Sequence, residues 1–281
     1  MEFITLNNGI KMPMVGFGVY QLTDSDQCEQ LVLDALTAGY RLIDTAASYG
    51  NEEAVGQAIK KSGVPRDELF VTSKLWIQDA SEQGAKQAYQ NSLEKLGLDY
   101  LDLYLIHQPY GDIYGAWRGL TEIYKADRVR AIGVSNLYPD RLVDLILHNE
   151  ITPAVNQIEV HPFFQNAEYL ELMKNKSVQV EAWGPLAEGK NDIFENEVLK
   201  SIGTKYRKSV AQVILRWQLQ CGVVTIPKST HKERIYENIN IFDFSLEKDD
   251  MKQITALDTN KSVVGDFTKP FIVEMLCSRK M

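Results

Sequence analysis

Residues 41–52 read Arg41-Leu42-Ile43-Asp44-Thr45-Ala46-Ala47-Ser48-Tyr49-Gly50-Asn51-Glu52. Leu42 to Thr45 is a short apolar run without polar alternation, the pattern of a parallel strand buried on both faces. It ends at a carboxylate, crosses small residues, and enters a helical pattern in which Val55, Ala58 and Ile59 face inward. Asn51 stands where a cap begins such a helix and Gly63 where a glycine ends it. The stretch therefore reads as one βα unit with polar side chains collected just past the carboxyl end of its strand.

The unit recurs along the chain. Runs of the same kind occupy Met14 to Gly18, Leu69 to Lys74, Leu101 to Ile106, Val129 to Val134, Ala154 to Ile158, Val178 to Trp183 and Val223 to Ile226. Helical stripes lie between them: Cys28, Leu31, Val32, Ala35 and Leu36 before Gly39, then Ala85, Ala88, Tyr89, Ser92, Leu93 and Leu96 before Gly97. Trp117, Leu120, Ile123 and Tyr124 form another, and Leu142, Val143, Leu145 and Ile146 follow Pro139 at a first helical position. Tyr169, Leu170 and Met173 follow Asn166; Val198, Leu199 and Ile202 come next, and Ser209 caps a segment carrying Val213, Ile214 and Trp217. Eight strands alternating with helices, with no linker or low-complexity tract, predict an α/β fold: a closed (β/α)8 TIM barrel in one domain over residues 1–281. Leu6-Asn7-Asn8-Gly9-Ile10 carries an Asn-Gly turn between apolar residues, which predicts an N-terminal β-hairpin covering the barrel bottom.

Composition narrows the function. The 281 residues are 44% hydrophobic and 24% charged, suited to a globular chain with a sizeable core. A net charge of -8 with both signs interspersed argues against nucleic acid or an acidic membrane as partner. The first residues lack a basic and apolar leader and no stretch has the apolar length of a membrane helix, so a cytoplasmic location is expected, with a monomer as default. Cys28, Cys221 and Cys277 are odd in number and lack CxxC spacing, which reads as free thiols. His148, His161 and His231 stand in unrelated contexts without an HExxH pattern, so no metal is expected.

The chemistry sits at the strand ends. Asp44, Tyr49, Lys74 and His107 each lie at or just past the end of a different run, and a barrel brings such ends to one face. Tyrosine can protonate a developing alkoxide, although a phenol with a pKa of about 10 is poorly matched to neutral pH. A neighbouring ammonium lowers that value, which is the expected role of Lys74, and Asp44 would keep Lys74 charged in a water-poor mouth. His107 would donate a hydrogen bond that orients the reacting oxygen. Singly, these four read more readily as a helix or turn cap, a half-buried aromatic, a solvated strand end and a satisfied core histidine.

Together, and with their flanks Thr72-Ser73-Lys74-Leu75-Trp76 and Leu103-Tyr104-Leu105-Ile106-His107-Gln108-Pro109, they resemble the catalytic tetrad of the aldo-keto reductases. The resemblance extends through Gly133-Val134-Ser135-Asn136, Asn156-Gln157-Ile158-Glu159, Ala182-Trp183-Gly184-Pro185-Leu186 and Ile226-Pro227-Lys228-Ser229, in family order, and points to the microbial diketogluconate and methylglyoxal reductase branch. It implies reversible reduction of an aldehyde or ketone with NADPH bound without a Rossmann fold. Consistently, Gly16-Phe17-Gly18 lacks the third glycine of a dinucleotide fingerprint, and Gly184 to Asn191 matches GxxxxGK but puts Asn191 where a P-loop needs Ser or Thr.

The resemblance also implies a set of cofactor contacts. Ser135, Asn136 and Gln157 would hold the nicotinamide carboxamide and Trp183 would stack on the ring, in place of the tyrosine of many relatives. Leu186 and its neighbours would fold over the pyrophosphate. Lys228, Ser229 and Arg234 would meet the adenosine 2′-phosphate, and Glu237 and Asn238 the adenine. Two cations suit a phosphate, where a free ribose hydroxyl is met by an acidic acceptor, so NADPH is expected over NADH. Tyr20, Trp76, His107, Tyr110 and Trp183 are expected to wall a pocket for a small carbonyl substrate, closed by the C-terminal segment near Phe267 and Phe271. Two other readings stay open: an NADPH-binding barrel without catalysis, and a lyase with Lys74 as Schiff-base nucleophile.

Overall fold

The computed structural model describes residues 1–279. Among these residues there are ten strands: β1 (Phe3–Thr5), β2 (Lys11–Pro13), β3 (Gly16–Gly18), β4 (Leu42–Asp44), β5 (Phe70–Leu75), β6 (Leu101–Ile106), β7 (Val129–Ser135), β8 (Val155–Glu159), β9 (Gln179–Trp183) and β10 (Val224–Thr225). β3 to β10 pair in parallel, each with its sequence neighbour. The ring is drawn closed by a parallel bridge from Val15 to Thr225 and by Gly18 N donating to Pro227 O at 3.2 Å. All eight expected runs thus become barrel strands, displaced at their ends by no more than two residues.

Helices α1 (Ser25–Ala38), α2 (Glu52–Ser62), α3 (Glu82–Leu96), α4 (Ile113–Lys125), α5 (Pro139–Leu147) and α6 (Ala167–Asn175) separate successive strands, and α7 (Glu197–Tyr206) and α8 (Val210–Gln220) both precede β10. After β10 come α9 (Lys232–Ile239), α10 (Lys248–Thr255) and α11 (Pro270–Ser278). Ser209 caps α8 through a reciprocal pair with Gln212, and Pro139 occupies the first turn of α5. Asn51 is a correction. It precedes α2 but does not cap it; its side chain accepts from Thr45 Oγ1 and donates to Val19 O and Leu22 O, tying the loops after β3 and β4 together. No described helix is long and apolar enough to cross a membrane.

The interior is two cores. A large apolar layer lies between strands and helices, and a smaller one fills the barrel with Leu42, Phe70, Leu103, Leu105, Ala131, Val155, Val224 and Ile226. Because side chains on a strand alternate in direction, two residues beyond Leu42, Phe70 and Val155 the same inward rows reach Asp44, Thr72 and Gln157, and Lys74 follows Thr72. The barrel is therefore apolar toward the amino ends of its strands and polar toward their carboxyl ends. β1 and β2 form the expected antiparallel hairpin, whose Leu6 and Met12 join the inner core. Asn7 and Asn8 donate to Pro153 O and Arg130 O at 3.0 and 2.9 Å, which seats the turn across the amino ends of β7 and β8.

Gly133 shows how tightly this interior is filled: a Cβ there would lie 2.5 Å from Val155 O and 2.8 Å from Leu105 Cδ2. Gly133→Ala is expected to destabilise the protein by about 1–3 kcal/mol, the usual cost of overpacking. Chemical denaturation checks this, and an unchanged midpoint would mean that β7 and β8 separate without strain.

Candidate active site

Lys74 is wholly buried near the carboxyl end of β5, and its Nζ meets three oxygens: Asp44 Oδ1 at 2.5 Å, Thr45 O at 3.0 Å and Tyr49 Oη at 3.3 Å. Asp44, only 2% exposed, ends β4; Tyr49 closes a 3-10 turn, Ala47–Tyr49, that Gly50 terminates in the left-handed region. The ring of His107, in the loop after β6, packs edge-on against Tyr49 at 5.5 Å between centroids and against Trp76 at 5.2 Å. Its Nδ1 lies 3.3 Å from Ser48 Oγ. The four strand-end residues thus form one contiguous group.

Burial and charge set their protonation. Desolvation disfavours charge on Lys74, but Asp44, Tyr49 and, more weakly, Glu181 outweigh it, so the amine is held above its ordinary range as an ammonium. For Tyr49 the balance reverses the expectation of a phenol brought toward neutrality. Its burial outweighs Lys74, with Asp44 opposing Lys74 as well, and the phenol is pushed up to about 12. It is therefore a fully protonated donor. His107 is held well below its usual value by burial first and then by the charges of Lys74 and Arg279, so its ring is neutral.

A cavity of about 910 Å³ opens above this group and runs over the barrel mouth. Asp44, Tyr49 and His107 line it while Lys74 lies beneath. Along its walls stand Ser135, Asn136, Gln157, Trp183 and Leu186, and toward its far end Lys228, Ser229, Arg234, Glu237 and Asn238. Asn136 adopts a positive φ of 58° and is already engaged: its Nδ2 donates to His107 O and Ser135 Oγ, and its Oδ1 accepts from Trp183 Nε1 at 2.8 Å. The tryptophan plane is thus fixed by a hydrogen bond. Tyr20 and Trp76 line the same cavity, and Tyr20 packs against Tyr49 at 5.0 Å between centroids.

Tyr110 does not line it; its hydroxyl donates to Phe267 O and so supports the roof from behind. Phe267 does line it, edge-on to Trp183, whereas Phe271 is 67% exposed and points elsewhere. α11 supplies Met275 and Leu276 to the wall instead, anchored where Gln78 Nε2 donates to Cys277 O and Arg279 O.

Several lining or supporting groups escaped sequence reasoning. Ser48 beside His107, Val210 and Ala211 at the start of α8, and Arg279 have no spacing that marks them. Glu181 had a signal. It is a lone carboxylate inside an apolar strand run, and in the structure it is fully buried and bonded to Gln157 at 2.7 Å. Burial first, then Asp44, raises its carboxyl to about 8 against the opposing effects of Gln157 and Lys74.

The model of the aldo/keto reductase family matches residues 14–259. The chain belongs to the aldo-keto reductase family. A glyoxal reductase of Bacillus subtilis is 49% identical over 263 residues, covering 93% of this chain and 95% of that protein. Among solved structures, an aldo-keto reductase from a deep-sea metagenome library superposes with a TM-score of 0.93 at 40% identity, covering 95% of this chain and 98% of that one. A Bombyx mori aldo-keto reductase in complex with NADP gives 0.90 at 35%, covering 95% and 96%. This aldo-keto reductase is accordingly an oxidoreductase of carbonyl compounds.

The neutral His107 has a measurable consequence. In the unfolded chain the ring takes up a proton near its ordinary value of 6.5, and in the folded reductase it does so only at lower pH, so stability declines as pH falls below 6.5. Nitrogen-detected NMR of the His107 ring is expected to show an imidazole that stays neutral as the pH passes through 6.5. Protonation of that ring near 6.5 would refute the burial argument.

Proposed function

We propose that this aldo-keto reductase reduces small aldehydes and ketones with NADPH, with Tyr49 as proton donor. The observation that carries the reading is the chain Asp44, Lys74, Tyr49, with Lys74 Nζ 2.5 Å from the carboxylate and 3.3 Å from the phenol, beneath a single cavity whose lining also includes Lys228 and Arg234.

The far end fits a phosphate-bearing dinucleotide. Lys228 and Arg234 line it and neither has an ion-pair partner among the described residues. Lys228 lies in the loop between β10 and α9 and Arg234 in the first turn of α9, where no side chain caps the helix and its first N–H groups favour an anion. Two cations with no internal partner suit a 2′-phosphate. Trp183, held by Asn136, offers an aromatic face for the nicotinamide, and Ser135 and Gln157 offer polar groups beside it. Bound there, NADPH supplies the hydride.

The residues of the chain supply the rest. Tyr49 keeps its proton until a carbonyl oxygen develops negative charge and then donates it; the Lys74 ammonium stabilises the phenolate left behind. Asp44 and Thr45 O hold that ammonium in place. His107 Nδ1 lies 3.3 Å from Ser48 Oγ; a neutral ring whose Nδ1 accepts from that hydroxyl carries its proton on Nε2, from which it would direct the substrate oxygen toward Tyr49. A Schiff-base role for Lys74 finds no support: its nitrogen is charged and committed to three acceptors. The walls of Tyr20, Trp76, Trp183, Phe267 and Leu276 suit small or partly apolar carbonyls, and the Bacillus relative named glyoxal reductase supports dicarbonyls as the first class to test.

Tyr49→Phe is expected to lower kcat by about 10²- to 10⁴-fold, with NADPH affinity nearly intact. Steady-state assay with a carbonyl panel and a fluorescence titration measure the two, and retained turnover would remove Tyr49 from the role. Lys228→Ala and Arg234→Ala are each expected to weaken NADPH binding by roughly tenfold or more while leaving NADH little changed. Equal losses for both dinucleotides would place the 2′-phosphate elsewhere.

A further inference from the structure

Beyond its weak support of the Lys74 charge, Glu181 has no part in the chemistry above, yet it lies within the same polar layer. It is fully buried on β9, and its Oε2 accepts from Gln157 Nε2 at 2.7 Å. The same nitrogen donates to Asp44 Oδ2 at 2.9 Å. A primary amide has two N–H donors, so both are spent inside the barrel. Turning the amide over would set its oxygen against two carboxyl oxygens, which fixes the orientation by chemistry. Gln157 Oε1 has no hydrogen-bond partner among the described residues and is not among the buried unpartnered atoms, so it faces the cavity that Gln157 lines.

The neighbouring polar groups are occupied. Ser135 Oγ donates to Gln157 O at 2.9 Å, and Asn136 is bound to His107, Ser135 and Trp183. Of the three side chains beside the proposed nicotinamide, Gln157 is the one whose side-chain oxygen accepts no hydrogen bond among the described residues. We propose that Glu181 is a positioning residue that, together with Asp44, locks Gln157 with its oxygen toward the cavity as a fixed acceptor for the carboxamide N–H of a nicotinamide. The inference rests on the cofactor reading given above. Its ligand specificity follows directly: an acceptor that cannot turn selects a carboxamide over a group of similar shape with no N–H.

Packing alone does not account for Glu181. Its Oε1 is buried without a partner, an arrangement that costs stability where an apolar side chain of similar size would not. Burial also raises the carboxyl to about 8.

Calorimetric titration of the full chain with NADP and with its 3-acetylpyridine analogue, which replaces the amide nitrogen by a methyl group, tests this without turnover. The wild type is expected to bind NADP roughly 5- to 10-fold more tightly than the analogue, the worth of one hydrogen bond. Glu181→Gln, which retains an acceptor oxygen, keeps that ratio. Glu181→Leu leaves Gln157 Nε2 tethered by Asp44 alone and brings the ratio to about half its wild-type value or below, while a cooperative thermal transition shows that the variant folds. If the leucine variant does not fold, Glu181→Met, closer in length, carries the same expectation. A wild type that binds both ligands, with an apolar variant that keeps the ratio, overturns the inference alone. A wild type that binds neither overturns the cofactor reading and this inference with it.

Discussion

The site depends on one buried ion pair, Lys74 Nζ and Asp44 Oδ1 at 2.5 Å, with neither side chain more than 2% exposed. Removing two charges from water costs more than their attraction readily returns, and an apolar pair of the same volume is often as stable or more so. The pair is tolerated because its remaining valences are met: Thr45 O and Tyr49 Oη complete the ammonium, and Gln157 Nε2 takes the second carboxylate oxygen. What the pair provides is a cation beneath a phenol, in a medium too poor in water to screen it. Its partners come from three strands and the loop after β4, so the closure of the barrel and the electrostatics of the site are one constraint.

That constraint explains the division of the interior. Side chains on parallel barrel strands point inward at every second position, and the inward set changes character along the axis, from Leu42 to Asp44, from Phe70 to Lys74 and from Val155 to Gln157. The apolar half, sealed by Leu6 and Met12 of the hairpin, holds the strands in register, which keeps the polar half from relaxing around its charges. The C-terminal segment adds the outer wall. Phe267 meets Trp183, and Glu159 accepts from Ser262 Oγ and Val263 N, so the roof is fastened to the end of β8.

Much of this was legible in the sequence. Unalternating apolar runs separated by helical stripes specify parallel strands buried on both faces, and a chain-order series of them leaves few arrangements other than a barrel. Residues that end such runs must share a face, which is why Asp44, Lys74 and the neighbouring Tyr49 and His107 were readable as a group. Errors arose where a side chain had a choice of partners. Asn51 has the chemistry of a helix cap but is spent on Thr45, Val19 and Leu22, because the loop after β3 offers two bonds and Thr45 a third where the helix offers one. Tyr110 and Phe271 are aromatic in the right region, yet one braces the roof and the other is exposed, since a tail without periodicity carries no record of which face it turns inward.

Protonation was the least legible property. The presence of Lys74 beside Tyr49 argued for a phenol of lowered pKa, while the depth of the ring below the cavity mouth pushes it to about 12. Identity and spacing determine which charges can meet; burial, which only the closed barrel creates, determines whether their interaction or their desolvation prevails. The sequence by itself determined the strand order, the face on which the functional groups gather and the residue types available there, because these follow from periodicity and chain connectivity. Only the tertiary structure decided that Glu181 joins Gln157 and Asp44 in one layer, that Asn136 holds Trp183, and that His107 is neutral. Those outcomes depend on distances across the barrel, and a linear pattern of residues does not encode them locally.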